Sequence, residues 1–123
     1  MSYTIDYLED EGIVLVTNTG ELTHELFIKQ SREALEIGRT NNCKLFLVDC
    51  TLMTTRTQTM QIFDAPKVYE TIGGSRSNKV ALILPADKDT QADLRFYEAV
   101  CVNRGWRVKV FAQKGSAIKW LRE

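Results

Sequence analysis

Histidine is nearly absent from this chain, with one residue, His24, in 123. A Ser, Cys or Thr nucleophile activated by an imidazole therefore has a single candidate base. That residue falls at the start of a segment that reads as a surface helix, where a solvated first-turn role suits it and its neighbour Glu25. Cysteine is scarce as well. Cys43, Cys50 and Cys101 are odd in number, widely spaced and without a Cys-x-x-Cys, which excludes a disulfide framework and a zinc hairpin and fits reduced, buried thiols. No metal and no cofactor is expected. Net charge is also missing, because 16 Lys and Arg balance 16 Asp and Glu. No overall field then draws nucleic acid or an anionic membrane. Apolar runs such as Ile13–Val16 and Leu45–Val48 fall far short of the roughly 20 residues a membrane helix needs, so no transmembrane segment is expected. The opening MSYTIDYLEDEG is acidic and alternating, unlike a signal peptide, and the expected location is cytoplasmic.

What is present is a regular alternation of strand and helix signals. Tyr3–Leu8 alternates, and Glu9-Asp10-Glu11-Gly12 breaks the pattern before Ile13-Val14-Leu15-Val16-Thr17, which reads as a β-hairpin. Thr23 caps a helix over 24–39 with Phe27, Ser31, Ala34, Leu35 and Gly38 on one face. Lys44–Asp49 is apolar without alternation, as expected of a central parallel strand covered on both sides. The threonines at 51, 54, 55, 57 and 59 leave 50–63 without a defined element. Asp64-Ala65-Pro66 opens a short helix with Asp64 as its cap, stopped by Gly73-Gly74. Val80–Leu84 is a second interior strand, Thr90–Asp93 a capping box opening the next helix, and Arg107–Phe111 an alternating strand at a sheet edge. Ala117–Leu121 ends the chain as a short amphipathic helix. Strands separated by helices imply parallel pairing through right-handed crossovers, hence an α/β protein and one domain over 1–123.

Few residues offer chemistry. Gly73-Gly74-Ser75-Arg76-Ser77-Asn78-Lys79 runs from a helix into a strand, the wrong order for a phosphate cradle, and reads as a polar loop in which Arg76 and Lys79 could meet an anion. Arg104, Trp106, Arg107, Lys109 and Lys114 interleave base with aromatic, yet Asp93 and Glu98 among them argue against a nucleic-acid partner. Asp49 ends the central strand, and Asp87, Asp89 and Asp93 follow the next one, at the end of the sheet where α/β proteins bind ligands. The simpler reading of Asp49 is an acid that accepts hydrogen bonds from the loop after it. Arg95 alone on its helix lacks a ready structural role. Asp49, Thr51, Arg95 and Tyr97 are the candidate ligand or partner contacts, and no residue is assigned as catalytic.

Ile5-Asp6-Tyr7, Phe46-Leu47-Val48-Asp49, Lys79-Val80-Ala81-Leu82-Ile83, and above all Asp93–Glu98 continuing to Asn103–Phe111, resemble the SpoIIAA-like (STAS/SEC14-type) family of small bacterial proteins, over nearly the whole chain. The resemblance implies a right-handed β/α superhelix with a mixed sheet of about five strands in chain order, beginning with the hairpin. It is the arrangement of anti-sigma-factor antagonists and of lipid-binding SEC14-type domains. In the antagonists a serine within Asp-Ser-Ser-Gly, after the central strand, is phosphorylated to release a partner. Here Val48-Asp49 is followed by Cys50-Thr51-Leu52-Met53-Thr54, so the motif is missing. Thr51 and Thr54 are the candidate phosphorylation sites, where a phosphate would add about −1.5 to −2 charges.

Strands in chain order with right-handed crossovers put the crossover helices on one side of the sheet, although Leu45–Val48 and Val80–Leu84 are apolar on both faces. The second face must meet the terminal helix, the segment 53–63, a second copy as a homodimer, or an apolar ligand. Two functions follow as expectations. The first is a non-enzymatic regulatory or protein-interaction domain with an unidentified protein partner. The alternative is a carrier of a small apolar or lipid-like molecule held between the sheet and Thr51–Phe63. A pocket gathering Asp49, Arg95 and Tyr97 would instead indicate an enzyme.

Overall fold

In the computed structural model, residues 2–54 and 64–123 are described. Strands β1 (Ser2–Leu8) and β2 (Ile13–Glu21) form the antiparallel hairpin, closed where Leu8 O accepts from Glu11 N and Gly12 N, with Gly12 at φ +67°. Helix α1 (His24–Thr40), strand β3 (Leu45–Thr54), helix α2 (Ala65–Thr71), strand β4 (Lys79–Ile83), helix α3 (Lys88–Asn103), strand β5 (Arg107–Phe111) and helix α4 (Lys114–Leu121) follow. The five strands lie in the order β1-β2-β3-β4-β5, parallel from β2 onward.

Several boundaries differ from expectation for local reasons. Strand β3 runs on to Thr54 because its last residues keep pairing with Thr19–Glu21 of β2 beyond a register shift, and β-branched threonine suits that extended backbone. Asp64 does not cap α2 with its side chain; its own backbone is already helical, and Pro66 sits in the first turn. Helix α3 begins before the expected capping box. Asp87 is its cap, and the carboxylate accepts from both Thr90 N (2.9 Å) and Thr90 Oγ1 (2.6 Å), which holds its pKa below the usual carboxylate value. Thr23 caps α1 as expected, accepting from Leu26 N at 3.2 Å.

The two faces of the sheet are covered differently. Val14, Val16, Phe46, Leu82, Val108 and Val110 face the side of α1, α2 and α3. Ile13, Leu47, Ala81 and Ile83 face the other side, where Ala117 and Leu121 of α4 pack on them. The terminal helix is thus what meets the second face. Lys79 secures it: this buried ammonium donates to Trp120 O (2.9 Å) and Glu123 O (3.0 Å) and lies 5.0 Å from the Trp120 ring centroid.

Helix α1 approaches the sheet most closely at Gly38. A Cβ there would lie 2.7 Å from Phe46 Cζ and 3.0 Å from Cys43 O. Alanine is the better helix former by roughly 1 kcal/mol, but the collision with a buried ring and a carbonyl outweighs it. Gly38→Ala is expected to lower stability by about 1–3 kcal/mol in urea denaturation; an unchanged or raised midpoint would show that α1 can shift at no cost.

Candidate functional site

The floor of the site is set by strand register. Parallel pairing aligns Val14, Phe46, Val80 and Val108 in one row and Val16, Val48, Leu82 and Val110 in the next, all on the side of α1 to α3. Over this floor, α1 projects Phe27, Gln30, Ser31 and Ala34, residues spaced three and four apart and therefore on one helix face. Helix α2 contributes Ala65 and Tyr69, α3 contributes Leu94 and Tyr97, and Trp106 closes the side before β5. Between floor and helices lies a cavity of about 140 Å³. Val48 and Val80, at the centre of the sheet, are only half-buried because it opens above them.

The walls are aromatic. Phe27 lies 6.0 Å from Tyr69 and, edge to face, 6.2 Å from Tyr97, while Tyr69 meets Trp106 at 5.4 Å, separations typical of favourable aromatic pairs. The Tyr69 and Tyr97 hydroxyls hydrogen-bond to each other. Burial pushes the Tyr69 hydroxyl well above its ordinary pKa of 10.0, with the nearby Cys101 and Cys50 adding to the shift. Burial pushes the thiols of Cys50 and Cys101 up to about 12, Cys50 with a further contribution from the charge of Asp49.

Four buried polar atoms belonging to residues of this lining have no hydrogen-bond partner among the described residues: Asn18 Oδ1, His24 Nδ1, Gln30 Nε2 and Trp106 Nε1. His24 is therefore not the solvated first-turn residue expected. It is half-buried, with its Nδ1 turned away from solvent. No carboxylate lines the cavity among the described residues, and no group of three His, Cys, Asp or Glu among them could hold a metal ion.

The four candidate contacts are not brought together. Asp49 and Thr51 lie on the opposite side of β3 from the cavity, where Asp49 Oδ1 accepts from Thr51 N (2.9 Å) and Thr51 Oγ1 (2.7 Å); both residues are within β3, so Asp49 neither ends the central strand nor caps a loop after it, as its position suggested. Tyr97 lines the cavity, but Arg95, two residues earlier on α3, is exposed. Thr51 and Thr54 are both exposed at the end of β3. Of the segment Thr51–Phe63, expected to enclose a ligand, 55–63 lies outside the described residues. Arg76 is occupied by Glu70 (3.1 Å) and by the Trp106 ring, 4.4 Å away, and Lys79 by α4, so neither is poised for an anion. Asn18 and Gln30 were missed because each reads as ordinary in sequence, and Trp106 was read only as part of the basic and aromatic pattern leading into the edge strand. The available signal was Gln30 on the apolar stripe of α1 and Asn18 within a strand of buried alternate positions.

No family model matches the sequence, and no curated protein does. Among solved structures, the chain is similar to the anti-sigma factor antagonist SpoIIAA in its unphosphorylated form, with a TM-score of 0.52 and 13% identity over 98% of each chain. It is also similar to an uncharacterized DUF3478-family protein with a SpoIIAA-like fold from Shewanella loihica, with a TM-score of 0.56 and 22% identity over 98% of this chain and 92% of that one. The chain has the SpoIIAA-like fold.

The thiol environments give a direct check. Cys50 and Cys101 are held protonated across the neutral range because their pKa values lie near 12, and both are buried. Cys43 is partly exposed. A water-soluble disulfide reagent is expected to label Cys43 in the native protein, and Cys50 and Cys101 only after unfolding. Equal native rates for all three would contradict this packing.

Proposed function

We propose that the chain is a non-enzymatic binding domain whose cargo is a small, mostly apolar molecule held between the sheet and helices α1, α2 and α3. One observation carries the reading: a cavity of about 140 Å³ walled by Phe27, Tyr69, Tyr97 and Trp106 over a floor of valines. An apolar cavity of about 150 Å³ is large enough to take benzene. Solvent extraction of the purified full chain, read by mass spectrometry, is expected to recover an apolar compound in near-stoichiometric amount. Returned at about one hundred times its Kd, it should stabilise the protein by roughly 2.7 kcal/mol. Val48→Phe should fill the space, keep the fold and abolish recovery. No recoverable compound, together with a Val48→Phe variant destabilised by about 1–3 kcal/mol through overpacking, would sink the reading.

A second reading is a regulatory domain that works through protein contact. It is supported by the likeness to an anti-sigma factor antagonist and by Leu52, 65% exposed beside Thr51 and Thr54 at the end of β3. In its homodimeric form it expects light scattering to give twice the 14.0 kDa of the chain, and Leu52→Asp to restore the monomer. A wild-type monomer at every concentration removes that form of the idea.

A further inference from the structure

The sheet has two edges, β1 and β5, and they are finished differently. On β5 the bases Arg107 and Lys109 are exposed, and Val110 N donates to the Glu98 carboxylate of α3 at 2.8 Å, so that edge is charged and in part already bonded. Both devices discourage a further strand. Strand β1 has neither. It pairs with β2 over seven residues without a bulge and contains no proline or lysine. From Ser2 to Tyr7 its outer backbone groups have no hydrogen-bond partner among the described residues. Such N–H and C=O groups are a template for another strand.

A groove runs beside this edge, between β1 and α1. Tyr3 and Ile5 turn toward α1, where the Tyr3 hydroxyl donates to Glu33 at 2.6 Å and Ile5 packs in the cluster that holds Ile37. Ile5, Leu26 and Ile37 give the groove half-buried apolar surface, and Lys29, Glu33 and Glu36 stand exposed along it. It shares no residue with the aromatic-walled cavity, because α1 lines the two with different faces. Charge around the edge is one-sided. Residues 2–21 carry five acids, Asp6, Glu9, Asp10, Glu11 and Glu21, all exposed, and no base.

We propose that β1 is a docking edge for a basic, extended segment of a partner protein, which adds to the sheet as a further strand. Strand alternation sends every second side chain over the groove, where an apolar residue meets Ile5, Leu26 and Ile37. The others project to the opposite face, where a lysine or arginine meets Asp6. Charge selects the occupant. A second copy pairing edge to edge would bring two acid-rich hairpins without a base together, and nucleic acid or an anionic membrane would meet the same repulsion.

The test uses the full chain and a short probe peptide that alternates lysine and valine. One reference peptide has glutamate in place of lysine, and another carries a methyl group on every backbone nitrogen. The lysine peptide is expected to bind, to move the backbone amide resonances of Ser2–Leu8, and to bind more weakly as salt is raised. The glutamate peptide should not bind. N-methylation keeps side chains and charge but removes the strand donors, and should weaken binding at least about tenfold. Asp6→Lys combined with Glu36→Lys reverses two exposed charges and leaves the melting temperature within a few degrees of the parent. It should weaken the lysine peptide on the order of tenfold and admit the glutamate peptide. A lysine peptide that fails to bind at millimolar concentration, binds equally well when N-methylated, or moves resonances away from β1 overturns the proposal. Undiminished affinity in the folded double variant does the same. So does self-association through β1, read as concentration-dependent shifts of the same amides without peptide, because the occupant is then a second copy.

Discussion

The constraint behind the rest of the structure is the handedness of its crossovers. Strands laid in chain order and joined by right-handed connections send α1, α2 and α3 to one side of the sheet and leave the other to α4. Each helix can cover only the strands beside it. Helix α1 packs on the hairpin strands and α3 on β5, so among the described residues the strip above β3 and β4 falls to α2, which has seven residues. The half-burial of Val48 and Val80 is the direct result. The cavity therefore comes from topology and helix length, with no single small residue responsible for it.

Packing next to the cavity is tight, which argues against a loosely assembled face. At its carboxyl end α1 comes so near the sheet that only glycine fits at position 38, while two turns earlier Gln30 and Ser31 border open volume. Close contact at Gly38 fixes the height of the helix at one end. The bulk of Phe27, pressed against Tyr69 and Tyr97, props it at the other. A helix held at both ends in this way cannot settle onto the valine floor to remove the space. Interiors packed like organic crystals do not collapse freely.

Most of the architecture was legible in the sequence. Uninterrupted apolar runs at Leu45–Val48 and Val80–Leu84 marked interior parallel strands, alternation in Arg107–Phe111 marked an edge, and Thr23 marked a helix start. Asp87 escaped notice because Thr90–Asp93 offered a more familiar pattern, although a cap is decided by which side chain reaches the free N–H groups. The site was harder. Arguing from exposed area directed attention to the second sheet face, which α4 covers, whereas the opening lies beneath the crossover helices. Composition and periodicity report which residues are apolar; they do not report whether, among the described residues, helices of 17, 7 and 16 residues tile a five-stranded sheet without a gap. Asp49 shows the same limit: its position suggested a strand end, whereas β3 runs on to Thr54 and the carboxylate pairs with Thr51 inside the strand.

A fold shared at 13% identity carries no site with it, because the same α/β frame hosts unrelated activities. What distinguishes this chain is its treatment of buried polarity. Lys79 and Thr90 show that its interior can satisfy a cation and a hydroxyl completely. Asn18, Gln30 and Trp106, residues around one cavity, each keep a buried atom unpaired, although Leu or Phe in their places would have been less costly to bury. Real proteins break local rules where function requires it. Three such breaks in residues around a single aromatic-walled cavity, in a domain that keeps the rule elsewhere among its described residues, set this part of the interior apart from the rest.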